Sequence, residues 1–300
     1  MDNARYEKCM VCGEKNAGPI GKWRVLTCTN CGQRISMMAL EYQNILKPSN
    51  LYDDPSYIAS RISESEAQMQ GNRKRLADLK AVIEFKQLQT ILEVGCSTGE
   101  MLAILKKEGH KPYGYETAEG AAKFGRDHFK VEITSDAGVL TKQFYDSVFA
   151  FHVIEHVDNS VRFIKYITKN MKTGGTLYIR APHYRSLSAY LFGQNWPGYC
   201  VDHTIFITKN SMEKTLHATG FRVEKIWTES EGRYFLGGLR RVLSGGSQPV
   251  GGNGVGTTGY LSRKMLFIVS VFNLLYTPIS LIEKMLGKGD EINVVATKVR

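Results

Sequence analysis

The residues best suited to chemistry lie in one short segment that combines acids, glycines and small polar side chains. The apolar run Thr90–Val94 contains Glu93 and leads into the turn Gly95–Gly99, after which Glu100 begins a helical pattern. Glycines let a backbone approach a ligand closely, and the unpaired amides at a helix start favour electron-rich groups. A strand, a tight turn and a helix start, in this order, indicate a ligand site at a sheet edge.

A second acid narrows the choice of ligand. Another apolar stretch, Lys111–Tyr115, ends in Glu116, about twenty residues after the turn, where an acid can accept hydrogen bonds from both ribose hydroxyls. The turn reads G-C-S-T-G, so the G-x-G-x-x-G pattern of dinucleotide sites is missing, and no Walker lysine follows. We therefore expect a nucleoside cofactor held between two acids, without a phosphate cradle.

Four cysteines form a second group with chemical meaning. They make two C-x-x-C pairs, fifteen residues apart, and a glycine follows each pair; the cysteines are Cys9, Cys12, Cys28 and Cys31. Four thiolates satisfy tetrahedral Zn²⁺, and a segment of roughly 35 residues needs such a metal because its own core is too small. We predict a zinc ribbon. Two disulfides or a redox pair fit poorly, because the polar start Met1–Cys12 leads us to expect an intracellular chain.

The elements that must position these residues alternate between strand and helix patterns. We predict strands at 90–94, 111–115, 131–134, 145–151, 176–180, 222–228 and 292–298. We predict helices at 99–108, 118–127, 159–171 and 210–219. This alternation indicates an α/β fold with a parallel sheet covered on both faces, and the ligand crevice lies at the carboxyl ends of its central strands.

The ordered motifs resemble those of class I S-adenosylmethionine (SAM) methyltransferases that act on small molecules and are related to the ubiquinone-pathway and sugar methyltransferases. Glu93, Gly95 and Gly99 match the E-x-G-x-x-x-G motif of that family. Further matches follow in order at Tyr145–His156, Gly174–Ile179, His203–Phe206 and Thr219–Phe221. Five motifs in the family's order, spread over about residues 85–230, make the resemblance specific.

The resemblance implies a Rossmann-like fold with a seven-stranded, mostly parallel sheet, into which the last strand inserts antiparallel. It also implies SAM as the cofactor, with Glu116 holding the ribose hydroxyls and Glu93 orienting the methionine part. The cofactor contacts that we expect on this basis are Glu93, Gly95, Cys96, Ser97, Gly99, Glu116, Thr117 and His152. A Rossmann-like domain that binds no SAM is the alternative.

Methyl transfer from a sulfonium is an in-line displacement, so the enzyme mainly positions the acceptor, and an oxygen acceptor also benefits from a general base. His203 is our first candidate for that base, because the segment after the fifth strand lines the acceptor pocket in similar enzymes. His183 is the second candidate. Each could instead be a noncatalytic histidine, which is the commoner role for a single histidine.

Patterning divides the chain into a ribbon (1–45), a helical linker or lid (46–88) and a methyltransferase domain (89–300) with an insertion (231–288). We predict two helices between Ser56 and Phe85, separated at Gly71-Asn72. Within the insertion, the glycine-rich Ser244–Gly259 predicts a loop. The uncharged Met265–Ile282 predicts an apolar helix that packs on the core, lies in a membrane plane or forms a dimer contact.

These observations predict a SAM-dependent methyltransferase whose acceptor is a small molecule, a sugar or a lipid-linked glycan precursor. We expect it in the cytoplasm, with peripheral contact to the inner face of the membrane through 263–286 as an open alternative. An RNA methyltransferase is the second functional hypothesis. The formal charge of +10 and the ribbon favour it, but the N-P-P-Y-like motif that would support it is absent after the fourth strand. A zinc-bearing scaffold with a degenerate fold, and without enzymatic activity, is the third hypothesis.

Overall fold

The computed structural model describes residues 6–45, 54–83, 85, 88–142, 144–230, 232–245, 272 and 276–299. Within them the strands are β1 (Asn16–Ile20), β2 (Val25–Cys28), β3 (Arg34–Ser36), β4 (Thr90–Val94), β5 (Lys111–Tyr115), β6 (Glu132–Thr134), β7 (Tyr145–Phe151), β8 (Met171–Pro182), β9 (Ile205–Phe206), β10 (Phe221–Glu229) and β11 (Glu291–Lys298). The helices are α1 (Met37–Ile45), α2 (Pro55–Ser63), α3 (Ser65–Lys80), α4 (Glu100–Lys107), α5 (Glu119–Phe129), α6 (Val139–Lys142), α7 (Ser160–Ile167), α8 (Leu187–Phe192), α9 (Lys209–Ala218) and α10 (Gly232–Leu243). A further helical stretch, 276–285, is called α11.

Seven strands form one sheet in the order β10-β11-β8-β7-β4-β5-β6. Strand β4 pairs in parallel with β5 and β7, β5 with β6, and β7 with β8. The apolar runs in the central strands become buried because helices cover both faces of such a sheet. The Rossmann-like fold with seven mostly parallel strands is confirmed, and β11 lies between β10 and β8 as predicted.

A second sheet has the order β1-β2-β3-β9 and is antiparallel throughout. Its first three strands come from the cysteine-containing segment, whereas β9 comes from the chain that follows β8. The sequence predicted no strand at β9, since two apolar residues are too short to give a periodic signal. Pairing of Ile35 with Ile205 extends the small ribbon sheet by this fourth strand.

The Cα positions group into two compact units. The first comprises Met1–Ile45, Ala181–Met212 and Trp227–Asn293, and the second comprises Leu46–Arg180, Glu213–Ile226 and Val294–Arg300. The antiparallel sheet belongs to the first unit, and strands β4 to β7 belong to the second.

Two predicted helix boundaries are wrong. The break between α2 and α3 falls at Glu64, not at Gly71-Asn72, because Gly71 sits inside α3 with open space around it and is tolerated there. Helix α7 ends at Ile167 rather than at residue 171. The Thr168 hydroxyl donates to the Ile164 carbonyl at 2.7 Å, and Met171 already pairs with Tyr145 in the sheet.

The insertion contains a helix that the sequence did not predict. Helix α10 includes two adjacent glycines, which lower helix propensity, but a side chain at Gly238 would place its Cβ 2.2 Å from the Phe192 ring. Residues 246–259 of the predicted loop, and residues 265–271 and 273–275 of the predicted apolar helix, lie outside the described residues. Among the residues that are described, no helix is long and apolar enough to cross a membrane.

Candidate functional site

The turn between β4 and α4 has a backbone shape that depends on its glycines. Gly95 and Gly99 adopt φ values of +72° and +84°, in the left-handed region. A Cβ at Gly95 would lie 2.5 Å from Val153 Cγ2, and one at Gly99 would lie 2.8 Å from Ile133 Cδ1. Both positions therefore require glycine for conformation and for space. Ser97 is also left-handed, with φ +49°, although it carries a side chain.

Glu116 is fixed against this turn at the end of β5. Its Oε2 accepts a hydrogen bond from Ser97 N at 2.8 Å, and its Oε1 accepts from Ala118 N at 2.9 Å. The Thr117 hydroxyl also donates to Oε1, at 3.4 Å. Each carboxylate oxygen has two lone pairs, so these three bonds orient the group and leave Oε2 with one further position to accept from a ligand.

Glu93 is in a very different environment at the end of β4. Its side chain is 5% exposed, and Oε2 has no hydrogen-bond partner among the described residues. Burial raises the pKa of this carboxyl well above its usual value; Glu100 reinforces the shift and Arg75 opposes it. Because an unpaired buried carboxylate is costly, this oxygen fits a ligand that brings a cation or a hydrogen-bond donor.

Two further predicted contacts lie in this turn and directly after β7. Cys96 is buried, and its Sγ would lie 2.5 Å from a Cβ placed on Gly114, so a small side chain is needed on β5. His152 has φ +56° directly after β7, its backbone NH donates to the Arg180 carbonyl at 2.8 Å, and its Nδ1 lies 3.4 Å from Glu155 Oε1. The neighbouring Val153 packs against Gly95.

Sequence reasoning missed two side chains in this region. Arg61 of α2 donates from Nε to Ser97 Oγ at 3.1 Å and from a terminal nitrogen to Glu64 at 3.4 Å. Arg61 is 36 residues from Ser97 in the chain, and the helical pattern of the sequence does not indicate that the two residues are in contact. Asp136 follows β6, the neighbour of β5, and accepts from Gly138 N at 2.8 Å. An acid at a third strand end could have been found by the reasoning used for Glu116.

A family model described as a methyltransferase domain matches residues 63–226, which is more than half of the chain. The chain belongs to this methyltransferase family. A ubiquinone biosynthesis O-methyltransferase of Parvibaculum lavamentivorans is 25% identical over 165 residues, covering 50% of this chain and 64% of that protein. One from Coxiella burnetii is 28% identical over 110 residues, covering 34% and 47%. The match is thus less than two thirds of either relative.

Solved structures agree on the fold. A SAM-dependent methyltransferase of Archaeoglobus fulgidus superposes with a TM-score of 0.52 at 21% identity, covering 82% of this chain and all of that one. Phosphoethanolamine N-methyltransferase 2 of Haemonchus contortus, in complex with SAM, gives 0.53 at 17% identity, covering 84% and 60%. At these identities the two structures show that this chain shares their fold.

In the first unit of the methyltransferase, the four cysteines come together as predicted. Their Sγ atoms lie within 4.8 Å of one another, with 3.6 Å between those of Cys9 and Cys31 and 3.5 Å between those of Cys12 and Cys28. All four thiols are free, and backbone amides donate to Cys9 and Cys28 at 3.4 Å. This donor set fits a tetrahedral metal ion.

The cysteine-containing segment packs tightly within that unit. The Cys31 carbonyl accepts hydrogen bonds from the Thr208 hydroxyl at 3.4 Å and from Asn210 at 3.1 Å. Trp23 is 1% exposed and stacks on Tyr199 with 5.8 Å between ring centroids. The chain just after β9 is therefore bonded directly to the second cysteine pair.

The two candidate bases differ in their surroundings. His183 is buried, its Nδ1 lies 2.9 Å from the Gly289 carbonyl, and burial lowers its pKa to about 4. His203 is half-buried, and its Nδ1 lies 2.9 Å from the Gly198 carbonyl. A carbonyl can only accept, so each Nδ1 is the protonated nitrogen and each Nε2 carries the lone pair.

We expect Glu116→Ala to weaken SAM binding by about tenfold or more, because hydrogen bonds to a charged group contribute about 1.5–3 kcal/mol. The Ser97 and Ala118 amides lose an acceptor as well, so a small fall in melting temperature should accompany the change. Titration calorimetry with SAM measures the affinity. Glu132→Ala, an exposed acid on β6, is the matched control and should bind SAM like the unmodified chain; unchanged affinity in Glu116→Ala would contradict the assignment.

Two buried groups of the first unit should make the stability of the fold depend on pH, in opposite directions. Burial raises the pKa of Asp290 to about 7, although its carboxylate accepts a hydrogen bond from Ser188. Between about pH 4 and 7 the folded chain keeps a proton on Asp290 that the unfolded chain has lost, so this group makes stability fall as pH rises. His183 is neutral in the fold while the unfolded imidazole is still charged, so it makes stability rise up to about pH 6.5.

Replacing Asp290 by Asn should remove the falling contribution and keep an acceptor for Ser188. Urea unfolding of Asp290→Asn should then show stability rising between about pH 4.5 and 6.5 more steeply than in the unmodified chain. Asp127→Asn, on the exposed side of α5, is the control. Equal slopes for Asp290→Asn and the unmodified chain would show that Asp290 does not titrate in this range.

Proposed function

We propose that the protein transfers the methyl group of SAM to a hydroxyl oxygen of a small acceptor, a sugar or lipid-linked glycan precursor. The observation that carries the cofactor part is the contrast between Glu116, held by two backbone amides, and Glu93, whose buried Oε2 lacks a partner in the described part of the chain. Oxygen as the accepting atom is supported by the relatives named as O-methyltransferases.

Different residues around the turn would bind different parts of the cofactor. Glu116 would accept from the ribose hydroxyls, and Glu93 would pair with the ammonium of the methionine part. Arg61, which reaches Ser97, would hold the carboxylate of that part. The other predicted contacts are the turn residues Gly95, Cys96, Ser97 and Gly99, followed by Thr117 and His152. Bound SAM supplies a methyl group on a positively charged sulfur, which is already a good leaving group.

His203 remains our first candidate for the base that accepts the hydroxyl proton. The hydrogen bond from Nδ1 to Gly198 leaves the basic lone pair on Nε2. His183 stays the second candidate, but its pKa of about 4 makes it a weak proton acceptor at neutral pH. The comparison of surroundings thus favours His203.

We also propose that Cys9, Cys12, Cys28 and Cys31 bind Zn²⁺ and that the ion braces the segment around residues 199–210. The support is the set of four free thiols and the two side-chain bonds onto the Cys31 carbonyl. The ribbon gives little support to the alternative function of an RNA methyltransferase, because its tryptophan, Trp23, is buried and cannot stack on a base.

The acceptor class and the base are tested together. Incubation of the full chain with methyl-labelled SAM and separated lipid, sugar and RNA extracts should label the lipid or sugar pool. His203→Gln should lower kcat on that pool by about a hundredfold or more, because a general base contributes about 10²–10⁴. SAM affinity should not change.

His217→Gln, an exposed histidine on α9, is the matched control and should retain full activity. Label in the RNA pool alone would overturn the acceptor class. A His203→Gln variant as active as the control would remove His203 as the base, and His183→Gln would then be measured.

Elemental analysis of the purified chain should find about one zinc per molecule, since four thiolates complete one tetrahedral site. Cys28→Ser should lose the zinc and shift the emission of the buried Trp23 to longer wavelength, because the ribbon depends on the metal for its fold. Cys200→Ser, outside the cluster, should keep the zinc. Full folding of Cys28→Ser without zinc would contradict the bracing role.

A further inference from the structure

Helix α11 turns an apolar face outward. Tyr276 and Glu283 are seven residues apart and therefore on one side of the helix, where both are buried and the tyrosine hydroxyl lies 2.9 Å from each carboxylate oxygen. The rest of the helix surface carries Leu281, Ile282 and Met285, with exposed fractions from 55% to 86%. This pattern reverses the usual arrangement, in which a packed helix exposes its polar side.

Helix α10 also exposes apolar side chains. Leu239, Val242 and Leu243 follow the i, i+3, i+4 spacing and are all exposed, Leu243 at 78%. The ring of Phe235 on α10 lies 5.5 Å from that of Tyr276 on α11, so the two helices are neighbours within the first unit. We call the exposed side chains of these two helices the α10–α11 surface.

The charges on this surface have one sign. Across the described residues 232–245 and 276–289, the exposed charged side chains are Arg240, Lys284 and Lys288, together with Arg233, which pairs with Glu291 at 2.8 Å, while Glu283 is buried. An apolar face beside exposed cations is the combination that binds anionic lipid, through burial of apolar side chains and attraction to the headgroups. A second copy of the chain fits less well, because a two-fold contact would bring the same cations together.

We propose that the α10–α11 surface docks on the surface of an anionic lipid bilayer. Leu281, Ile282, Met285 and Leu243 enter the headgroup region, and Lys284 and Arg240 meet the lipid charges. The proposal deepens the suggestion of a lipid-linked acceptor, yet it does not require methyl transfer. Its test therefore measures binding to vesicles, and activity plays no part in the readout.

The full chain should float with vesicles of phosphatidylcholine mixed with phosphatidylglycerol, and bind pure phosphatidylcholine much less. The double variant Ile282→Ser with Met285→Ser should reduce binding to the anionic vesicles by about tenfold or more, as should Lys284→Glu with Lys288→Glu. Ile20→Ser removes an apolar side chain that is 68% exposed on β1, and Lys107→Glu reverses an exposed charge on α4; both should bind like the unmodified chain. Circular dichroism and SAM affinity verify that every variant is folded.

Contact with lipid is measured directly with Met285→Trp, whose fluorescence should be quenched by brominated lipids. Trp23 and Trp196 are buried and should contribute little quenching, and the signal of the half-buried Trp227 is measured in the unmodified chain and subtracted. Absence of binding to anionic vesicles would overturn the proposal, and so would equal binding by the surface variants and their controls. A dimer in light scattering that Ile282→Ser with Met285→Ser separates would assign the surface to a second copy. Unquenched, short-wavelength emission from Met285→Trp would show that another part of this chain covers it.

Discussion

The carboxylate of Glu116 fixes the turn on which the proposed cofactor site depends. Ser97 adopts a left-handed backbone that costs a residue with a side chain roughly 1–2 kcal/mol. The hydrogen bond from its amide to Glu116, and the one that its hydroxyl accepts from Arg61, offset that cost. Since Glu116 also binds the Ala118 amide, one side chain joins the turn after β4 to the start of α5. These hydrogen bonds hold the turn in its observed shape.

The two acids contribute to binding in different ways. Glu116 is satisfied by backbone amides and acts as a preorganised acceptor. Glu93 is buried beside Glu100, and a ligand that supplies a donor or a cation to its Oε2 relieves a penalty already present in the fold. Under the proposed binding mode, a positively charged nucleoside would use both environments, whereas a neutral nucleoside would satisfy Glu116 alone.

The sheet could be predicted from the sequence because each of its strands is a local apolar run. The order in which these strands and the helices alternate along the chain also indicates a parallel sheet. Glu93, Gly95, Gly99 and Glu116 could be placed for the same reason, as each lies at a strand end. Pairing of β9 with β3 brings residues 34–35 and 205–206 together, and no local pattern records such a contact. Helix α10 escaped prediction because its glycines serve close packing against Phe192, which overrides their low helix propensity.

The cysteine-containing segment is part of a larger body, and this bears on what it can do. Strand β9 extends its sheet, Trp23 stacks on Tyr199, and the Arg34 guanidinium lies 3.9 Å from the Tyr184 ring centroid. Trp23 and Arg34 are thus occupied by contacts within the first unit, whereas Lys15 and Lys22 are exposed. A ribbon packed in this way holds the chain on both sides of His203, because Thr204 accepts from the Ser36 amide and Tyr199 contacts Trp23. Under the proposal that the four cysteines bind Zn²⁺, the ion would hold the position of that segment, and the ribbon would serve as a brace within the first unit.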